Sequence, residues 1–185
     1  LGQGGMGSVY LGWHTRLETE VAVKVLPPYL ARRSTEAVQR FLREARLAAG
    51  IQSPHLVSVR DVNEENGYHF IVMEYVEGIA AGKYVDEFFE ATGEGLPEEK
   101  ALEIVAAATE GLAAAHTRGI VHRDIKPDNI LIPRDEHAQL KTGAAKLADL
   151  GLARPSGIGP RLTEEGFVVG TPGFLSPEQA TDAGS

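Results

Sequence analysis

Asp124, Lys126 and Asn129 lie in the run His122-Arg123-Asp124-Ile125-Lys126-Pro127-Asp128-Asn129, which sets a carboxylate, a cation and an amide close together. These are an acid, a base and an amide at spacings that phosphoryl transfer uses, a chemistry that rests on positioning and on stabilising charge. The apolar pairs Ile120-Val121 and Ile130-Leu131 flank the run as strand signals. A polar loop pinned at both ends in this way can position charge.

Two other groups could serve the same chemistry. Gly2-Gln3-Gly4-Gly5-Met6-Gly7-Ser8-Val9 has the spacing G-x-G-x-x-G-x-V. Glycines let the backbone approach a phosphate closely and adopt positive φ, but such a loop alone fits a ligand-free hairpin equally well. A similar pattern opens dinucleotide folds where a helix follows, whereas here a strand signal follows. In Val21-Ala22-Val23-Lys24, strand alternation puts Ala22 and Lys24 on one face and Val21, Val23 and Val25 on the other. A lone strand lysine is ordinarily a solvated edge residue. Glu44 offers the partner that would hold Lys24 as a defined point charge, although beside Arg40, Arg43 and Arg46 it also reads as an ordinary surface glutamate.

The elements that must carry these groups follow from periodicity. Leu1 to Leu11 and Glu20 to Leu26 read as strands, the second ended by Pro27-Pro28. Ser34 to Ala49 reads as a helix capped by Ser34 or Thr35, with Val38, Phe41, Leu42, Ala45 and Ala49 on one face. Leu56 to Val62 and Tyr68 to Val76 read as strands joined at Asn66-Gly67, a hairpin signal. Pro97 to Arg118 reads as an amphipathic helix buried through Leu102, Val105, Ala108, Leu112 and Ala115 and stopped at Gly119. The fold class is α+β, strand-rich first and helix-rich second, with a lobe boundary near residues 73 to 83.

Composition narrows the function classes. At 185 residues, 43% hydrophobic and 24% charged, the chain suits a soluble unit with its own core. A formal net charge of -8 without a Lys/Arg cluster argues against nucleic acid as a partner. Zero cysteines leave no disulfide framework or thiolate metal site and fit a reducing compartment. No apolar run approaches membrane-spanning length and no leader is evident, so the expectation is a cytoplasmic location, or the cytoplasmic domain of a membrane-anchored protein, without membrane contact in this segment.

The glycine loop, Val-Ala-Val-Lys, the helix glutamate, His-Arg-Asp-Ile-Lys-Pro-Asp-Asn, Asp149-Leu150-Gly151 and Ser176-Pro177-Glu178 occur in the order of the protein-kinase signature. Gly170-Thr171-Pro172-Gly173-Phe174-Leu175-Ser176-Pro177-Glu178-Gln179 further resembles the bacterial serine/threonine kinases of eukaryotic type. That resemblance implies a bilobal fold, with an antiparallel N-lobe sheet, one main helix and a helical C-lobe. Residues 1–76 would be the N-lobe and hinge and 77–185 part of a C-lobe. The opening at Leu1 and the close just after Glu178 read as a domain incomplete at both ends, with its C-lobe cut after the activation segment.

The resemblance also implies roles. Asp124 would accept or orient the substrate hydroxyl proton, and Lys126 would stabilise the γ-phosphoryl charge and favour Ser/Thr over Tyr. Asn129 and Asp149 would hold Mg²⁺, with Mn²⁺ as a substitute, and Lys24, steadied by Glu44, would pair the phosphates of ATP under Gly2, Gly4, Gly5 and Gly7. Val9, Ala22 and Leu131 would line the adenine slot, with Met73 at its back and Glu74-Tyr75-Val76 as hinge. His122 reads as a packed structural histidine and Arg123 as a phosphate ligand of the activation segment, where Thr163 is a candidate phosphosite. Protein substrates, and a second copy for autophosphorylation, are the implied partners. A pseudokinase or nucleotide-binding scaffold is the alternative, against which all of Lys24, Asp124, Asn129 and Asp149 are present. Leu150 in place of the usual Phe, and an enlarged polar loop over 133–145 whose function the sequence does not tell, are departures from the family pattern.

Overall fold

Alternation from Gly2 to Val25 produces three antiparallel strands, β1 (Gly2–Gly4), β2 (Gly7–His14) and β3 (Thr19–Val25). The computed structural model describes residues 1–4, 7–122, 124–149 and 172–174; the side chains in the 2–7 segment and at 40 and 44 are outside what it describes. The first expected strand is thus two, folded back at the glycines so that Gly4 faces Gly7 and Gly2 faces Val9.

Pro27-Pro28 ends β3 and also opens a short helix, α1 (Pro28–Arg33), which was not expected. Proline at the first helical position has neither a lost hydrogen bond nor a wrong φ, so the same residues act as stop and start. Helix α2 (Thr35–Ala49) follows, and the Ser34 hydroxyl caps it by accepting from the Ala37 N–H at 3.0 Å. Phe41, Ala45 and Ala48 are buried and seat α2 in the core cluster that also holds Ala22 and Ile71 of the sheet and Leu26 just after β3.

Strands β4 (Val59–Glu65) and β5 (Tyr68–Glu74) pair as the hairpin expected at Asn66-Gly67, where both residues have positive φ (52° and 78°). The first sheet has the order β1-β2-β3-β5-β4. Leu56 and Val57, expected to begin β4, instead bond elsewhere: the Val57 N–H donates to Leu147 O at 3.0 Å and the Leu147 N–H to His55 O at 2.8 Å. Apolar alternation announces a strand but not its partner.

After Glu74 the chain crosses to a second sheet, β6 (Gly78–Ala80), β7 (Ile130–Pro133) and β8 (Lys146–Leu147), in the order β6-β7-β8. At Gly78 a side chain would run into the Ile132 carbonyl oxygen, so only glycine lets β6 lie on β7. Two helices precede β7: α3 (Ala81–Thr92), which the sequence reading missed, and α4 (Glu98–His116). The face of α4 agrees with expectation at Ala108, Leu112 and Ala115 and departs from it at two positions. Ile104, Ala107, Ala108, Gly111 and Ala115 are buried, whereas Leu102 and Val105 are 60% and 58% exposed. Close approach decides this: a side chain at Gly111 would strike the His55 carbonyl, so α4 packs through its small residues rather than its largest.

The 133–145 segment is a built turn. Arg134 bridges Leu140, and the Asp135 carboxylate accepts from the His137 and Gln139 N–H groups at 2.9 Å and from Lys141 at 2.7 Å. The Lys141 bond, with the Gln139 amide, holds the Asp135 carboxyl below its usual range. Thr142, buried, donates to Glu103 of α4 and fastens the end of the loop. Among the described residues no helix is long and apolar enough to cross a membrane.

Candidate functional site

Lys24 and Asp149, 125 residues apart in the chain, meet at 2.7 Å between Nζ and Oδ1. Lys24 is 4% exposed on β3, on the face of buried Ala22, as strand alternation requires. A lysine buried to this degree needs a carboxylate, since an unpaired ammonium out of water is costly. The partner observed is Asp149; Glu44 stands on α2, and its side chain lies outside the described residues.

Asp149 adopts φ 56°, a left-handed conformation that aspartate tolerates better than most residues. The peptide before it is fastened on both sides. The Ala148 N–H donates to Asn129 O at 2.8 Å, and Ala148 O accepts from His122 Nε2 at 2.8 Å. His122 Nδ1 in turn accepts from the Asp124 N–H at 3.3 Å, which fixes the tautomer with its proton on Nε2. Asn129, 8% exposed at the end of the 3-10 turn Pro127–Asn129, donates through Nδ2 to Asp124 O at 2.7 Å and to Asp124 Oδ2 at 3.3 Å. Lys126 Nζ lies 3.9 Å from the same Oδ2. Asp124, Lys126, Asn129, Lys24 and Asp149 therefore form one network linked through His122 and Ala148.

With its amide nitrogen committed to Asp124, Asn129 keeps an amide oxygen, and Asp149 adds a carboxylate 38% exposed. Two hard oxygen donors of this kind suit a divalent cation that keeps its other positions for phosphate and water. Ala22 and Met73, paired across β3 and β5 and both buried, share one apolar cluster with the partly buried Val9, Val76 and Leu131. These are the five apolar positions expected around an adenine. Glu74, expected at the hinge, turns its carboxylate to Lys146 and Ser58, two contacts that no motif signalled. Gly2, Gly4 and Gly7 lie in the β1–β2 hairpin, while Gly5, Arg123, Leu150 and Thr163 lie outside the described residues. Surface hollows of about 380 and 410 Å³ lie elsewhere, beside Gly50 and Arg118 and beside Trp13 and Tyr75.

His122 is 1% exposed, and burial holds its imidazole below the usual range, although the Ala148 carbonyl, Asp124 and Asp149 oppose that shift. The ring is neutral in the fold and binds a proton more readily in the unfolded chain. Its contribution to stability is therefore complete above about pH 6.5 and is lost as pH falls toward the folded value. Urea midpoints measured from about pH 7.5 down to pH 5.5 are expected to fall, with a shallower slope in His122→Asn. Equal slopes in the two proteins would exclude His122 as the titrating group.

A five-stranded antiparallel sheet with its main helix, joined through a short crossing segment to a helical part that carries a polar catalytic-type loop, defines the protein-kinase fold. Residues 1–184 match the protein kinase domain, and the chain belongs to that family. It is 39% identical over 99% of its length to serine/threonine-protein kinase pkn2 of Myxococcus xanthus, 41% over 97% to PknB of Mycobacterium leprae and 41% over 97% to PrkC of Bacillus subtilis. It spans only 21%, 28% and 26% of those curated relatives. Among solved structures, the kinase domain of Mycobacterium tuberculosis PknI superposes with a TM-score of 0.68 at 36% identity, over 91% of this chain and 64% of that one. Rad53 1-466 in complex with AMP-PNP superposes with a TM-score of 0.63 at 28% identity, over 82% and 36%.

Proposed function

We propose that this chain is the catalytic part of a bacterial serine/threonine protein kinase that transfers the γ-phosphoryl group of ATP to protein hydroxyls, its own Thr163 included. The observation that carries the reading is the 2.7 Å contact of buried Lys24 with Asp149, which joins the glycine-hairpin sheet to the Asp124–Asn129 loop. Names of relatives such as PrkC and PknB support serine and threonine as acceptors. Residues 1–76 are the N-lobe and hinge in this reading and 77–185 part of the C-lobe, with the nucleotide held between groups of both.

Lys24 neutralises the phosphates of ATP under the Gly2–Gly7 hairpin, with Asp149 and Glu44 as its carboxylate partners. Val9, Ala22, Met73, Leu131 and Val76 enclose the adenine, and the main chain of Glu74 to Val76 orients it. Asn129 and Asp149 offer the oxygens for Mg²⁺, which when bound neutralises phosphate charge. Asp124 orients the acceptor hydroxyl and takes its proton, and Lys126 offsets the charge developing on the phosphoryl oxygens.

Incubation with [γ-³²P]ATP, Mg²⁺ and a generic protein acceptor, followed by phosphoamino-acid analysis, tests the assignment. Label on serine and threonine, with Thr163 among the mapped sites, is expected. Label confined to tyrosine, or none, would defeat it. Self-labelling that rises as the square of protein concentration would identify transfer between two copies.

A further inference from the structure

Lys146 reaches from β8 in the second sheet to the last residue of β5 in the first. Its Nζ lies 2.7 Å from Glu74 Oε1, and the two side chains are 20% and 23% exposed. The other carboxylate oxygen, Oε2, accepts from the Ser58 N–H at 3.3 Å and the Ser58 hydroxyl at 3.2 Å, while the Glu74 N–H donates to Ser58 O at 2.9 Å. Glu74 is thus gripped by the segment entering β4 and by the strand that ends two residues before Asp149.

The two attachments tie the start of the crossing segment to β8, which is itself paired with β7 and bonded to His55 and Val57. β8 has two residues, and the chain between Glu74 and Gly78 belongs to no strand or helix. A charge-assisted bond withdrawn from most of the solvent is screened less than a surface pair and holds a narrower geometry. We infer that Glu74 and Lys146 are a positioning pair for the nucleotide: their side chains set the separation between the hinge main chain and Asp149, the two ends of the bound ATP. The inference rests on the nucleotide reading above. It gives Glu74 a side-chain role distinct from the main-chain contact expected of a hinge residue, and it adds Lys146 and Ser58, which carry no sequence signature.

The test is a double-mutant cycle of Lys146→Met and Glu74→Gln, with Lys146→Arg as the conservative variant, read by the Kd of a fluorescent ATP analogue with Mg²⁺, the kcat and KM for ATP, and the melting temperature. Each single neutral variant is expected to raise Kd and KM about three- to tenfold with kcat within about twofold; the double variant should be no weaker than the worse single, and Lys146→Arg close to wild type. Multiplying effects in the double variant would show that the two residues act independently, and a lowered melting temperature with Kd unchanged would make the pair merely structural; either result overturns the inference. Wild-type protein that takes up no nucleotide would defeat the underlying reading, and this inference with it, before any substitution is made.

Discussion

Asp124→Asn is expected to lower transfer of phosphate to protein by about 10²- to 10⁴-fold, the contribution of a positioned general base. The substitution keeps the shape and the backbone contacts: the Asp124 N–H still reaches His122 and the Asp124 carbonyl still accepts from Asn129. What it removes is the charge that faces Lys126 and the carboxylate oxygen proposed to take the proton. The kcat should therefore fall while the Kd of the nucleotide, for which Lys24 and the apolar slot are the proposed contacts, stays within a few-fold. Equal ³²P incorporation by the wild type and Asp124→Asn would remove Asp124 from the chemistry. Loss of nucleotide binding with a lowered melting temperature would assign it to the fold instead.

Phe41→Ala should give the largest loss of stability. Phe41 is wholly buried on α2, in the core cluster shared with the first sheet, and deleting a buried aromatic ring costs about 3–5 kcal/mol through lost transfer energy and the cavity left behind. In a chain of this size that is a fall in melting temperature on the order of 10 °C. The same substitution loosens the helix that carries Glu44, so the KM for ATP should rise at temperatures where the protein is still folded. Calorimetry beside steady-state kinetics checks both. A shift below about 2 °C would mean that α2 is not seated by this residue.

Much of the local structure was legible because it is tied to short-range patterns. His122 was placed only through the family resemblance, whereas Lys24 was placed on its strand face by alternation, Asn66-Gly67 by its turn chemistry and Ser34 by capping. These signals depend on a few adjacent residues, so no knowledge of the fold is needed to see them. The misses share the opposite character. Helix α1 was hidden because Pro27-Pro28 can both end a strand and open a helix. Helix α3 follows Ile79-Ala80 without a side-chain cap to announce it. On α4, Ala108, Leu112 and Ala115 face the core as expected, but hydrophobicity also nominates Leu102 and Val105, whereas close packing against His55 selects Gly111.

The sequence by itself determined which side chains could do chemistry and in what order along the chain, because residue type and short-range spacing are properties of the polymer. Only the tertiary structure decided which of them touch. Lys24 meets Asp149 rather than standing at a solvated edge, Leu56 and Val57 serve β8 rather than β4, and Glu74 is claimed by Ser58 and Lys146. Those pairings join residues far apart in the chain, and what selects among them is burial: a charge or a backbone amide withdrawn from water must find whichever partner the packed elements bring within reach.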